Sequence, residues 1–511
     1  MRKLALDDEI LLSVQQPARY IGGEVNSVTK VLTPETIRFC MCFPDVYEIG
    51  MSHLGIQILY DMFNRREDTY CERVYSPWND MDKIMREKHI PLFALESQDP
   101  VKDFDFLGIT LQYEMSYTNV LQILDLSQIP LHADERGEHD PIVIGGGPCA
   151  YNPEPLAPFF DLFYIGEGET VYGQLLDAYK ENKKHGGSRH DFLEAAAQIS
   201  GIYVPAFYDV EYHEDGTIKS MKPNNPNAKE TITKEIVVDM DQYGYIEKPL
   251  VPFIKATQDR VVLEIQRGCI RGCRFCQAGN VYRPLREKSL ENLKESAYKL
   301  LKSTGHEEIS LSSLSSSDYT NLEGIVNFLI DEFHGKGVNV SLPSLRIDAF
   351  SLDVMSKVQD VKKSSLTFAP EAGSQRLRDV INKGLTEEVI LKGASDAFHG
   401  GWNRVKLYFM LGLPTETEED MEGIALLSEK VAETYYDEIP KAERNGRVQV
   451  VASSSFFVPK PFTPFQWATM CTKEEFLRRA YLVKDNSSGL SPGLRCNWAS
   501  DNSTGELFGG N

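Results

Sequence analysis

The sequence predicts an α/β protein in which a doubly wound, Rossmann-like domain is followed by a partial (β/α)6 barrel of the TIM type. Two observations support this fold class. Between about residues 35 and 170, short apolar runs alternate with segments of helical periodicity, and glycines follow the apolar runs. From residue 261 onward, a second series of apolar runs is separated by amphipathic segments. Strands that alternate with helices in this way form parallel sheets.

Composition places the chain among ordinary globular proteins. Its 511 residues suffice for about two or three domains, and 42% are hydrophobic and 25% charged. The formal net charge is −21, from 75 acidic and 54 basic residues. Such an acidic balance gives little electrostatic reason to bind nucleic acid or an anionic membrane, so neither partner is predicted.

Cysteine usage and the absence of long apolar runs indicate the cellular compartment in which the protein works. The amino terminus turns acidic at Asp7 and Asp8 before the apolar core of a signal peptide forms. No stretch approaches the roughly 18 apolar residues of a membrane span. Nine cysteines, an odd number, fit a reducing compartment better than a disulfide framework. We therefore expect a cytoplasmic protein.

The first domain is predicted over residues 35–170, after an N-terminal extension of residues 1–34. Its candidate strands are Thr36–Phe43, Phe106–Leu111, Pro141–Gly145 and Asp161–Ile165, and its candidate helices are Leu54–Phe63 and Tyr117–Leu126. Four cysteines of this region are expected to be buried small hydrophobic residues rather than a second metal site. They are Cys40, Cys42, Cys71 and Cys149.

Three short motifs follow one another in this domain: Ser52-His-Leu-Gly55, Gly145-Gly-Gly-Pro148 and Gly166-Glu-Gly-Glu169. Their order resembles the cobalamin-binding-like domain of one branch of the radical S-adenosylmethionine (SAM) superfamily. The Asp-x-His-x-x-Gly motif, through which a histidine ligates cobalt, is incomplete, because Met51 and Ile56 replace its aspartate and glycine. The domain is either a site for cobalamin bound without this ligand or a vestigial Rossmann-like fold.

A connecting segment with a few strands is predicted over residues 171–250. It contains the turn signals Asp215-Gly216 and Lys222-Pro-Asn-Asn-Pro-Asn227. Pro249 and Pro252 mark the entry to the barrel, which is predicted over residues 251–485.

Three cysteines form the candidate metal site. Cys269, Cys273 and Cys276 have the spacing C-x3-C-x2-C and follow the predicted strand 261–265. Loops at the carboxyl ends of such strands carry function. Clustered thiolates favour zinc or an iron–sulfur cluster, but no Cys or His within about fifteen residues completes a four-ligand zinc site. Three ligands leave one position open, and a zinc knuckle or three unrelated cysteines are the alternatives.

The spacing is identical to that of the radical SAM superfamily. The resemblance implies a [4Fe–4S] cluster on the three cysteines, with SAM bound at the fourth iron and cleaved reductively to methionine and a deoxyadenosyl radical. It also implies an external electron donor such as flavodoxin or ferredoxin. Phe275 matches a residue that packs near the adenine, although simple packing within the loop is the alternative.

The barrel continues through five further candidate strands, whose carboxyl ends supply the other candidate site residues. These strands are Glu307–Ser313, Val338–Leu342, Ser364–Ala369, Val405–Leu411 and Val448–Ser453. By the same resemblance, Ser312 lies where the methionine amino group is bound, although the usual Gly-Gly-Glu is missing. Arg346 and Glu371 are candidates for the methionine carboxylate and the ribose hydroxyls, or for a structural ion pair. Gly412 and Pro414 belong to a Gly-x-Pro-x-Glu-Thr turn that packs by the adenine.

The last part of the chain contains a proline- and aromatic-rich segment, 453–467, which resembles the segment that closes this type of barrel over the substrate. Residues 486–511 are predicted to be an irregular tail, because they are rich in turn residues. Similar proteins continue further, which favours a shortened chain.

These features predict a radical SAM enzyme with an unknown substrate. One alternative is a methyl- or methylthio-transferase that acts on RNA or protein, although the basic carboxyl-terminal module typical of RNA-modifying members is not seen. The other is a non-catalytic iron–sulfur protein used for electron transfer or sensing.

Overall fold

The computed structural model describes residues 6–243, 246–341, 366–487 and 494–497. The chain divides into two compact units. The first comprises Met1–Asp259 with Lys299–Gly305, and the second comprises Arg260–Tyr298 with His306–Asn511.

A six-stranded sheet of order β2-β1-β3-β4-β5-β6 lies at the centre of the first unit. Neighbouring strands are parallel except β5 and β6, which are antiparallel. The order reverses between β1 and β3, as in doubly wound folds. The strands are β1 Ile37–Phe43, β2 Thr69–Tyr75, β3 Phe106–Thr110, β4 Ile142–Gly146, β5 Leu162–Tyr164 and β6 Ile202–Tyr203.

Helices cover both faces of this sheet. Along β1, Phe39 and Met41 belong to one buried cluster and Cys40 and Cys42 to the other, because successive side chains point to opposite faces. All four cysteines of the first domain are buried, as predicted, and form no disulfide bond. The helices are α1 Asp8–Ser13, α2 Tyr47–Gly50, α3 Leu54–Arg65, α4 Asn79–Lys88, α5 Tyr117–Leu126, α6 Tyr172–Lys184 and α7 Arg189–Ala197.

The sheet domain extends beyond residue 170, into the segment that the sequence predicts to be a connection. Helices α6 and α7 pack on the sheet through Leu175, Leu176 and Phe192, and β6 pairs with β5. Polar residues dominate α6, and the apolar residues of α7 are mostly adjacent rather than at helical spacing, so neither helix is evident in the sequence. A hairpin of β7 Tyr208–Tyr212 and β8 Ile218–Pro223 follows.

The second unit contains two parallel sheets, of orders β13-β12-β9 and β14-β15-β16-β17. Among the described residues these sheets do not join into a closed barrel, but the six predicted strands are all present. The second unit also contains a short antiparallel pair of strands, β10 and β11. The strands are β9 Val261–Glu264, β10 Gln266–Arg267, β11 Arg286–Glu287, β12 Glu308–Ser312, β13 Asn339–Ser341, β14 Leu366–Glu371, β15 Arg404–Leu411, β16 Gln449–Phe456 and β17 Leu494–Asn497.

The strand β17 lies within the tail that the sequence predicts to be irregular. It pairs in parallel with β16, from Leu494 beside Val450 to Asn497 beside Ser453. Four residues are too few to show a periodic pattern, so only the neighbouring strand reveals this element.

Helices cover one face of the four-stranded sheet. On β15, Val405, Leu407, Phe409 and Leu411 are buried among helical side chains, whereas the alternate residues are more exposed. Every helix in the described parts of the chain is too short or too polar to cross a membrane. The helices of this unit are α8 Ala278–Val281, α9 Leu290–Thr304, α10 Leu322–Phe333, α11 Gln375–Val380, α12 Glu387–His399, α13 Glu418–Glu438 and α14 Lys473–Ser487.

Candidate metal and cofactor site

The cysteine loop, residues 268–279, leaves the carboxyl end of β9 through the β10–β11 pair. It starts at Gly268, where φ is +87°. A Cβ atom there would lie 2.6 Å from the carbonyl oxygen of Pro284 and 2.7 Å from that of Tyr282. Only glycine permits both the left-handed backbone and this close approach. The three cysteines that follow form no disulfide bond and are partly exposed.

Backbone amides donate to two of the thiols. The N–H of Arg271 donates to Cys269 Sγ at 3.4 Å, and the N–H of Gly279 donates to Cys276 Sγ at 3.3 Å. Burial raises the pKa of the Cys276 thiol, and the nearby Cys269 adds to this rise, whereas the Gly279 amide opposes it. Donors of this kind stabilise sulfur ligands and tune iron–sulfur clusters.

The donor set fits a cluster better than a single ion. Within the parts of the chain that the structure describes, no three His, Cys, Asp or Glu side chains are grouped closely enough to hold one metal ion. In a cubane cluster each cysteine binds a different iron, so its ligands need not share one centre. Soft thiolates that receive amide hydrogen bonds suit such a cluster.

The last two residues of α11 and the three that follow, Asp379–Lys383, hold the cysteine loop from one side. We call these residues the bracing segment. The N–H of Arg274 donates to the carbonyl of Ile381 at 2.9 Å, and Asn382 Nδ2 donates to the carbonyl of Gly272 at 2.8 Å. The guanidinium of Arg274 also donates to the carbonyl of Val380 at 2.6 Å. The loop is thus fixed by protein groups.

The serine-rich turn after β12 holds the loop from another side. Arg271 forms a paired contact with Asp318, with Nε–Oδ2 at 3.1 Å and Nη2–Oδ1 at 2.5 Å. Ser315 Oγ donates to the same carboxylate at 2.8 Å. Ser312 ends β12 beside Glu264 of β9, and its carbonyl accepts from Ile265 N–H at 3.0 Å. The structure therefore places the predicted Ser312 next to the cysteine strand.

Glu371 lies at the carboxyl end of β14 with φ of +69° and pairs with Lys383. Lys383 Nζ is 3.1 Å from Glu371 Oε1, and the two side chains are 11% and 16% exposed. Burial raises the pKa of Glu371, and the Lys383 charge opposes that rise. Its predicted structural partner, Arg346, lies outside the described residues, and the nearby Arg376 pairs with Asp420. The sequence did not single out Lys383.

An apolar cluster adjoins Phe275. Its buried members are Ala372, Leu377, Ile381, Leu413 and Phe457. Phe275 and Phe465 pack against this cluster, and Lys383 Nζ lies 6.0 Å from the centre of the Phe275 ring. The structure therefore brings the cysteine loop, the end of β14 and the turn after β15 together.

The turn after β15 holds the predicted Gly412 and Pro414. Gly412 has φ of +84°, and its N–H donates to Glu416 Oε2 at 2.7 Å. Glu416 in turn pairs with Arg479 at 2.5 Å. A capping box between Thr417 and Asp420 then starts α13. These contacts fix the shape of the turn beside the apolar cluster.

The predicted closing segment reaches the cysteine loop. Phe457 and Phe465 belong to or pack on the apolar cluster, and the N–H of Phe465 donates to the carbonyl of Arg274 at 3.3 Å. The segment thus contacts the same loop as the bracing segment does.

In the first unit, His53 has a structural task. Its Nδ1 accepts a hydrogen bond from the N–H of Ile56 at 3.2 Å and so caps α3. Its ring lies 5.1 Å from that of Phe43, and burial lowers its pKa to about 4. Met51 accepts from Arg73 and Tyr75 through its sulfur. His53 is therefore committed to the helix rather than poised to ligate a cobalt ion.

Family comparisons match both units. The family model described as radical SAM proteins, N-terminal, matches residues 55–205, and the radical SAM superfamily model matches residues 263–427. An uncharacterised protein of Methanocaldococcus jannaschii is 30% identical over 426 residues, which is 83% of this chain and 78% of that protein.

Two solved structures share the fold. One is the radical SAM methyltransferase TsrM from Kitasatospora setae, solved with cobalamin and a [4Fe-4S] cluster, with a TM-score of 0.52 and 12% identity over 84% of this chain and 77% of that one. The other is the cobalamin-dependent SAM radical enzyme OxsB, solved with aqua-cobalamin and SAM, with a TM-score of 0.51 and 13% identity. The match with OxsB covers 91% of this chain and 58% of that one.

Proposed function

Because the chain belongs to the radical SAM superfamily, in the branch with an N-terminal cobalamin-binding-like domain, we propose that Cys269, Cys273 and Cys276 hold the [4Fe–4S] cluster of a SAM-cleaving enzyme. The amide hydrogen bonds to two of these thiols and the bracing of their loop support this assignment most directly. The substrate of the enzyme is unassigned.

The chain's own groups then have distinct tasks. When bound, the cluster supplies the electron that splits SAM into methionine and a deoxyadenosyl radical. Phe275, Gly412 and Pro414 provide apolar surface for the adenine, and Glu371 accepts hydrogen bonds from the ribose hydroxyls. Phe275 and Leu413 belong to or pack on the same apolar cluster of side chains, which supports this placement. Ser312 receives the methionine amino group, and Arg346 is assigned to its carboxylate from the sequence alone.

The reducing electron comes from an external donor such as flavodoxin or ferredoxin. The partly exposed cysteine loop supports delivery from outside the protein, because electron transfer needs a short path.

Deoxyadenosine release tests the proposal. The protein is loaded anaerobically with iron and sulfide, then mixed with SAM and dithionite, and the products are separated by chromatography. We expect deoxyadenosine and methionine from the wild-type protein and neither from a variant in which the three cysteines are alanine. A fully loaded wild-type protein that releases no deoxyadenosine contradicts the assignment.

Methyl transfer is the second candidate, because TsrM shares the fold of both parts of the chain. In this case the first unit would hold cobalamin without the ligand His53. The same assay separates the two reactions, since transfer of a methyl group from SAM produces S-adenosylhomocysteine. Its appearance, dependent on added cobalamin and a methyl acceptor, would favour methyl transfer.

A further inference from the structure

A partly buried ion pair lies beside the cysteine loop. Lys383 and Glu371 are 3.1 Å apart, and their side chains are 11% and 16% exposed. The Lys383 ammonium lies 6.0 Å from the ring of Phe275, the residue before Cys276. One cation and one anion therefore lie together beside the residue that precedes Cys276.

Hydrogen bonds and backbone conformation hold this ion pair in a defined position beside the cysteine loop. The bracing segment ends in Lys383 and is hydrogen-bonded to the cysteine loop through Ile381 and Asn382. Two residues next to or within the pair, Asn382 and Glu371, have φ of +52° and +69°. Left-handed backbone at residues other than glycine persists only where the surroundings impose it. The positions of both charges are thus fixed relative to the loop.

The nearby arginines are engaged in other contacts. Arg267 pairs with Glu264, Arg271 with Asp318, and Arg274 donates to backbone carbonyls. Their guanidinium groups therefore interact with the carboxylates and carbonyls that shape the loop. Lys383 and Glu371 instead pair with each other in a poorly solvated position, where Coulomb interactions are screened less than at the surface.

We propose that the two charges of the Lys383–Glu371 pair act in opposite directions on the reduction potential of the cluster held at Cys276. This inference rests on the proposed function. A nearby positive charge favours addition of an electron, and a nearby negative charge opposes it. In the intact pair the two effects largely cancel. Neutralising either member should therefore shift the potential, and the two shifts should have opposite signs.

Charge-neutral variants test this directly. The proteins are loaded with iron and sulfide, and their midpoint potentials are measured without SAM by redox titration followed by electron paramagnetic resonance. The titration is run at about pH 8.5, well above the ordinary range of a carboxyl group. We expect Glu371→Gln to shift the potential upward and Lys383→Gln to shift it downward. The double variant should return close to the wild-type value.

Two controls isolate the charge. Lys383→Arg keeps the cation and should keep the wild-type potential. Lys392→Gln removes a lysine that is 75% exposed on α12 and should shift nothing. Iron content and circular dichroism of each variant establish that its cluster and fold are intact.

The outcomes separate this inference from the proposed function. A wild-type protein that takes up no cluster overturns the proposed function and this inference with it. A loaded wild-type protein whose single variants shift together, or do not shift, overturns the inference alone. If Lys383→Gln fails to fold, the upward shift of Glu371→Gln and the unchanged Lys383→Arg still decide it.

Discussion

The thiols of Cys269, Cys273 and Cys276 are not needed for packing, because all three side chains are partly exposed. Replacing any one of them by alanine should remove cluster binding and leave the fold intact. Iron analysis of the loaded variants and their thermal midpoints measure both effects. Cys471→Ala is the matched control, since Cys471 is also free and partly exposed but lies outside the loop. Full iron content in any loop variant would show that the ligands are wrongly assigned.

His53 makes the stability of the first unit depend on pH. Burial lowers its pKa to about 4 from the ordinary 6.5. Between these values the unfolded chain binds more protons than the folded one, so stability falls as the pH falls from about 6.5 to about 4. The shift corresponds to roughly 3 kcal/mol at most. Neither Phe43 nor Gln112, which contact the ring, carries a charge that would offset it.

Urea denaturation across this pH range measures the effect. His53→Asn keeps a good N-cap for α3 but cannot titrate, so its stability should change less on acidification. His213→Asn, at an exposed turn, should behave like the wild-type protein. Equal pH dependence of wild type and His53→Asn would exclude His53 as the titrating group.

Single residues also show which contacts can be predicted from the sequence and which cannot. The cysteine spacing alone indicates the metal site, because three thiols must converge on one inorganic group. Lys383 has no such signal: it comes twelve residues after Glu371, beyond a helix, and only the folded chain brings the two together. Arg376 shows the converse, since its closeness to Glu371 in the sequence does not make an ion pair.

Among the elements, the loop from β14 to α11 depends on one glycine. A Cβ at Gly373 would lie 2.2 Å from the backbone nitrogen of Ile424 and 2.7 Å from the carbonyl of Asp420, both in α13. The backbone of a helix cannot move away without losing its hydrogen bonds. Gly373→Ala should therefore lower the free energy of unfolding by at least about 1–3 kcal/mol, as overpacking does. Urea denaturation measures the loss.

Gly335→Ala is the matched control for that experiment. No atom lies within 4 Å of a Cβ built at Gly335, so this change should be close to neutral. Equal stability of the two variants would mean that the helix and the loop are not packed as described.

Element prediction succeeded where periodicity was strong. The strands of the second unit were placed to within a few residues, because apolar residues alternate along them, as on β15. Helices α6 and α7 lie outside the predicted elements, because polar residues dominate α6 and the apolar residues of α7 are mostly adjacent rather than at helical spacing. The capping box of Ser188 and Asp191 was the available signal for the start of α7.

For the whole molecule, the boundary of the first unit can be tested by truncation. The buried clusters on both faces of its sheet are built from residues up to Ala256. A fragment of residues 1–259 should therefore unfold cooperatively in urea, as a domain with its own core does. A fragment of residues 1–170 lacks α6, α7 and β6 and should not. Cooperative unfolding of the shorter fragment would place the boundary where the sequence alone predicted it.

Because protein contacts brace the cysteine loop, we expect folding and cluster binding to be separate events. Small zinc domains fold only when metal arrives, since the metal supplies their folding energy. Here Asp318, Ile381 and Asn382 give the loop its shape through protein contacts alone. We therefore expect the protein to fold before iron and sulfide are added. Loading with iron and sulfide should therefore change the thermal midpoint of the protein far less than it changes that of a zinc domain that folds around its metal.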